Sequence, residues 1–336
     1  MQREWFLPWV LLLAGCANSP DSQTSAPQQG PGLRELGVIA LPAVEGRIDH
    51  LAFDAKRMRL YVAALGNNTL EVVDLATRQR VRQIHGCAKP QGVLYIDEFD
   101  VVVVSNGESG MLHVFNPATF ERVASLDVGK DADNLRWAPR TKEVFVAAGD
   151  GELVGVDART WTITRRFPLS AHPESFQLAT SDERIFVNVP DAQQIAVVDR
   201  RARAPDMTWP LVGAGANYPM ALLEHDRRLV VGCRKPACLI VFDTDGGKLL
   251  ASLELSEDCD DIFYDMEHDR VFVSCGGGNI DVFERTPGGV LARTHQLPTA
   301  GGARTCLLVP QLNRLFLAVP HRGSQAAEIR EFELVP

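Results

Sequence analysis

The chain has 336 residues, 46% of them hydrophobic and 23% charged, with a net charge of −9 and a pI near 5.4. This length and apolar fraction support a sizeable core. The acidic balance excludes a general nucleic-acid binder, which needs a basic face.

At the start of the chain, Arg3 precedes an apolar run from Trp5 to Leu13. A helix needs about 20 apolar residues to span a bilayer, so this run is too short. With the small residues that follow, it reads as a signal peptide. Leu13-Ala14-Gly15-Cys16 resembles the lipobox of bacterial lipoproteins. The resemblance implies cleavage before Cys16 and a lipid on Cys16. Residues 1–15 are therefore expected to be a lipoprotein signal peptide, and the mature protein to sit in a bacterial cell envelope. Ala17 stands where inner-membrane lipoproteins usually carry an aspartate, which favours an outer-membrane anchor facing the periplasm. The segment Ala17 to Gly32 is polar and rich in Pro, Ser, Gln and Gly. It has almost nothing to bury against the entropy of ordering, so residues 16–32 read as lipidated Cys16 and a flexible tether. Residues 33–336 are expected to form one domain.

That domain is repetitive. Short apolar, β-rich runs recur at Leu60–Ala63, Val101–Val104, Val144–Ala147, Ile185–Asn188, Leu229–Gly232, Val271–Ser274 and Leu315–Ala318. The second residues of these runs (Tyr61, Val102, Phe145, Phe186, Val230, Phe272 and Phe316) are 41, 43, 41, 44, 42 and 44 residues apart. Seven copies at this period match the length of a propeller blade. A second strand follows in each unit and usually ends in an acid, as at Asp74, Asp157, Asp199 and Asp243. A more polar third strand runs outward, as at Arg80–Ile84. Continuous apolar runs are expected where neighbouring blades cover both faces of a strand. The fold predicted is an all-β, seven-bladed propeller with blades of about four antiparallel strands. The last unit holds only three strands, so Leu33 to Leu41 is predicted to close the ring as the outer strand of the last blade.

Arg59-Leu60-Tyr61-Val62-Ala63-Ala64-Leu65-Gly66-Asn67-Asn68-Thr69-Leu70-Glu71-Val72-Val73-Asp74 resembles the YVTN β-propeller repeat. The chain is similar to exported YncE-like proteins of that family. The resemblance implies a seven-bladed propeller and says little of activity, because propellers host many functions.

Inner strands precede the marker runs, and polar residues collect at one end of them. Eleven residues before each marker stand His50, Gln91, Asn134, Ser175, Pro219, Asp261 and Thr305; twelve before stand Asp49, Pro90, Asp133, Glu174, Tyr218, Asp260 and Arg304. The expectation is a ligand funnel at one mouth of the ring, built from Asp49, His50, Gln91, Asp133, Asn134, Glu174, Ser175, Tyr218, Asp260, Asp261 and Arg304. Its carboxylates Asp49, Asp133, Glu174 and Asp260 would form a partial ring, with Arg304 as the lone cation. Such a ring suits a hard divalent cation. With His50 or with His172, fourteen residues before its marker, it suits a transition metal. Asp49, Asp133, His172, Glu174 and Asp260 are thus the candidate ligands, and a divalent cation is the candidate cofactor. An inner edge facing water needs no ligand to hold polar side chains, and short carboxylates at strand starts also accept backbone hydrogen bonds. The shared phase of these positions is what singles them out.

Export makes disulfides feasible. Cys233 and Cys238 flank a predicted hairpin, and Cys259 and Cys275 lie on strands that should pair; buried free thiols fit the same spacings. No C-x-x-C-H haem motif and no Gly-x-Ser-x-Gly elbow occurs. The function expected is a non-enzymatic binding protein or scaffold, meeting the membrane through its lipid and taking a small ligand, a metal or an envelope protein. A lactonase-like, divalent-metal-dependent hydrolase using Asp133, Glu174 and Asp260 is the first alternative. A subunit beside a periplasmic redox partner is the second.

Overall fold

A computed structural model describes Met1 and residues 29–30, 32–149, 151–202 and 205–335. The expected signal peptide, Cys16 and most of the tether lie outside the described residues. No helix among those residues is long and apolar enough to cross a membrane.

Seven antiparallel sheets form the ring of a β-propeller. The first blade runs Leu51–Asp54, Arg59–Ala64, Thr69–Asp74 and Gln79–His85 from the channel outward. The next five repeat the plan, beginning at Pro90–Ile96, Leu135–Ala138, Phe176–Leu178, Gly215–Leu223 and Cys259–Asp265. The seventh takes Thr305–Val309, Arg314–Val319 and Glu328–Leu334 and then, from the other end of the chain, Leu33–Ala40. Leu33–Ala40 pairs antiparallel with Glu328–Leu334, from Leu33 opposite Leu334 to Ala40 opposite Glu328. The ring is closed as predicted, and a two-residue strand, Gln29–Gly30, pairs outside it.

Burial explains the repeat. The marker side chains Tyr61, Phe145, Phe186, Phe272 and Phe316 are almost wholly buried. They fall in five of seven apolar clusters, one cluster lying at each junction between neighbouring blades. A second strand is thus covered on both faces and reads as an unbroken apolar run. An outer strand such as Thr162–Pro168 alternates exposed and covered positions instead. The acids that end the third strands turn the chain. Asp74, Asp157, Asp199 and Asp243 each accept a backbone N–H two or three residues on, at 2.8 Å in all four blades. These carboxylates serve the turn and leave the functional residues to the other edge of the blade.

Cys233 faces Cys238, and Cys259 faces Cys275, in register. Nevertheless Cys87, Cys233, Cys238, Cys259, Cys275 and Cys306 are all free, buried thiols. The candidate bridges are therefore not formed. Cys233, Cys238, Cys259 and Cys275 pack as small apolar groups in the clusters on either side of the fifth blade.

Candidate functional site

Where the chain turns into an inner strand, it often passes through the left-handed region: Asp131 (φ 48°), Ala216 (φ 53°), Asp258 (φ 61°) and Gly302 (φ 83°) occupy equivalent positions. Two residues later the backbone is fixed to its own blade. The N–H groups of Asp49, Asp133 and Glu174 donate to the carbonyls of Ala63, Ala147 and Asn188 at 2.7, 2.8 and 3.0 Å. These bonds hold the carboxylates of three blades at one level of the ring. Gly92 helps at the second junction. A Cβ there would stand 2.4 Å from the Asp133 carbonyl oxygen, so the close approach of blades two and three requires glycine. Ser105 donates its hydroxyl to the same carbonyl.

A polar cavity of about 340 Å³ opens at this mouth. Gln91, Asp133, Glu174, Tyr218, Asp260 and Arg304 line it, joined by Arg47, Asp131, His172 and Arg234. Other members of the expected funnel point elsewhere. Asp49 is 1% exposed, behind Arg47. Asn134 and Ser175 lie below the mouth and accept from Arg136 at 3.4 and 3.3 Å. His50 and Asp261 line a cavity of about 560 Å³ at the opposite mouth. Neighbours in sequence thus divide between the two cavities, Asp260 lining the polar one and Asp261 the other.

Arg304 is not the lone cation. Arg47 lies 2.9 Å from Asp49 and 3.8 Å from Asp260, and Arg304 lies 3.1 Å from Asp260. Arg234 pairs with Asp260 and Asp258 and stacks 4.0 Å from the centre of the Tyr218 ring. Asp260 is thereby enclosed by three guanidinium groups and is a poor metal ligand; burial nevertheless holds its proton affinity above the usual carboxylate range. Phase counting missed Arg234 because it sits on the second strand of its blade, beyond the shared apolar run. Its only signal was a cationic residue beside a hairpin tip.

The other side of the mouth carries unmatched negative charge. Asp133 is 7% exposed, and among the described residues no cation lies within 4 Å of it. Its neighbour is the Asn134 amide at 3.4 Å. Burial, with Glu174 and Asp49 nearby, pushes the Asp133 carboxyl well above its usual range. Burial, Asp260 and Asp49 push Glu174 up to about 8. His172 Nε2 lies 3.8 Å from Asp131 and 4.0 Å from Glu174. Its Nδ1 is 3.0 Å from the Gly149 carbonyl, which can only accept, so in the neutral ring Nδ1 carries the proton and the Nε2 lone pair faces the acids. Asp133, His172 and Glu174 each offer a ligand atom within 4.8 Å of the others. Of the candidate metal ligands, these three come together, while Asp49 and Asp260 belong to the arginine network.

A roomier cavity of about 630 Å³ lies away from the channel, beside Arg184 and Glu224. Its charges are already engaged: Glu224 accepts from Thr180 and Ser181, and Arg184 pairs with Asp182 and covers Phe186.

Fold and site together define a seven-bladed β-propeller with a charged channel mouth. No protein-family model matches the chain, and no curated protein does. Among solved structures, one chain in a crystal structure of a mitotic checkpoint complex is similar, with TM-score 0.76 and 11% identity, covering 98% of this chain and 99% of that one. A chain of hydrazine synthase from Kuenenia stuttgartiensis is similar with TM-score 0.73 and 13% identity, covering 94% and 99%. At such identities the likeness establishes the fold alone.

Proposed function

We propose that the protein is an exported, lipid-anchored binding protein of the bacterial envelope whose polar mouth holds a divalent cation on Asp133, His172 and Glu174. The carrying observation is a pair of desolvated carboxylates with no arginine or lysine within 4 Å among the described residues, beside a histidine whose Nε2 faces them. One nitrogen and two carboxylate oxygens suit a transition-series cation such as Zn²⁺ or Mn²⁺ better than Ca²⁺, which prefers an all-oxygen shell. The cation would displace the protons that burial favours on Asp133 and Glu174, so binding should strengthen as pH rises toward 8. With three protein ligands the cation would still take a small ligand or a partner's side chain to complete its shell. The lipobox-like start and the resemblance to YVTN proteins support the envelope location.

The test is bound-metal content and thermal unfolding of the full-length protein, with and without a chelator. Stoichiometric Zn²⁺ or Mn²⁺, and a chelator-sensitive melt that Asp133→Ala abolishes, are the expected results. An unchanged melt and no metal would overturn the reading.

A metal-dependent hydrolase is the second reading. The observation that favours it is Glu174, whose proton affinity near 8 suits a general base at neutral pH. Lactone hydrolysis that appears on Mn²⁺ addition and disappears in Glu174→Gln would support it. Metal binding without turnover would leave the protein a binder.

A further inference from the structure

The channel's other mouth has different chemistry. Its cavity of about 560 Å³ falls within the size range of small-molecule sites and is walled mainly by Phe53, Leu94, Leu135, Leu222, Phe263 and Leu307. Three charged side chains face it: His50, Asp261 and Arg136. His50 and Asp261 answer one another, with Nδ1 and Oδ1 3.5 Å apart, and Asp261 also accepts the Cys306 N–H at 2.9 Å. Arg136 is left over. Among the described residues it makes no ion pair within 4 Å. Its guanidinium lies over the Phe176 ring, 5.5 Å from the centroid. It donates to the Leu135 carbonyl at 2.8 Å, Asn134 Oδ1 at 3.4 Å and Ser175 Oγ at 3.3 Å. A guanidinium has five N–H donors, so two remain for a ligand. Burial, only partly offset by Asp261 and Asp133, lowers the proton affinity of Arg136, as expected for a cation short of a counter-charge.

We propose that this mouth binds an amphipathic monocarboxylate, its carboxylate on Arg136 and its apolar body against Phe53, Leu94, Leu222, Phe263 and Leu307. An arginine without an ion-pair partner in a mainly apolar cavity, its charge only partly offset by Asp261 and Asp133, selects a single negative head on a hydrophobic body. It disfavours a cation, which would meet Arg136, and a small hydrophilic acid, which would leave the walls wet. The inference is independent of the cation site at the polar mouth.

The test uses the full-length protein in lipid nanodiscs, titrated by calorimetry with 4-phenylbutyrate, with empty nanodiscs as the blank. The matched controls are 4-phenylbutylamine, 4-phenylbutanol and acetate. The expected result is saturable, one-to-one binding of phenylbutyrate, with each control at least tenfold weaker. Arg136→Gln should weaken phenylbutyrate at least tenfold and leave the alcohol unchanged, since it removes a charge-assisted contact and spares the walls. Leu94→Trp should block binding by filling the cavity, and it decides the matter if Arg136→Gln does not fold. No saturable binding, equal binding of the amine, or wild-type affinity in both variants would overturn the proposal.

Discussion

At the residue scale, Asp133 separates a binding site from a structural acid. An acid that held the fold would cost stability on neutralisation. Asp133 instead faces Glu174 and Asp49, and His50 and Arg47 only partly offset burial and those two acids, so its charge opposes the folded state. Asp133→Asn should raise the melting temperature of the cation-free protein at pH 8 by about 2–4 °C, equivalent to roughly 1 kcal/mol. It should also remove the rise that Zn²⁺ or Mn²⁺ brings. A lower melt in the absence of cation would assign Asp133 a structural role. His50 sets the pH dependence at the other mouth. Burial alone would lower its proton affinity, but Asp261 and Asp49 outweigh burial and raise it from 6.5 to about 10. Between those values the folded chain holds a proton that the unfolded chain has lost, so stability should fall as pH rises from 6.5 to 10. Melting curves from pH 8 to 10, above the range in which Glu174 also titrates, should show the decline, and His50→Gln should reduce it.

At the element scale, two strands carry testable weight. Leu33–Ala40 supplies Ile39, which is buried with Phe316 and Ile329 at the junction of blades seven and one. Ile39→Ala should cost about 2–5 kcal/mol in denaturant unfolding, as a large-to-small change in a closed core does. Gly92 sits where blades two and three approach too closely for a Cβ. Gly92→Ala should displace the Asp133 backbone and weaken cation binding at least tenfold while the ring still folds; unchanged affinity would uncouple that junction from the site. The element scale is also where the sequence was most legible. Marker spacing located every blade, because burial between blades forces the same apolar run on each second strand. Strand register was legible too, since Cys233 does face Cys238 and Cys259 does face Cys275. Whether a sulfur pair bonds or packs depends on side-chain placement, which strand spacing does not encode. The site was legible only in part. Counting from the markers gives height along the channel, which grouped Asp133, Glu174 and Asp260 correctly. It does not give which mouth a side chain faces, so His50 and Asp261 were assigned to the wrong one. Arg234 and Arg136 lay off the counted positions altogether.

At the scale of the whole molecule, one channel has two unlike ends. One mouth gathers carboxylates and arginines into a network with an unmatched acidic corner. The other is apolar with an unmatched arginine. The closed ring makes this division possible, because seven inner strands all start at the polar mouth and run toward the apolar one. The acidic corner is the site proposed to hold a divalent cation. Anomalous diffraction from crystals soaked in Mn²⁺ tests it most directly. One strong peak is expected in coordination reach of Asp133, His172 Nε2 and Glu174, absent from crystals of Asp133→Asn. A peak elsewhere in the channel, or none at this corner, would contradict it.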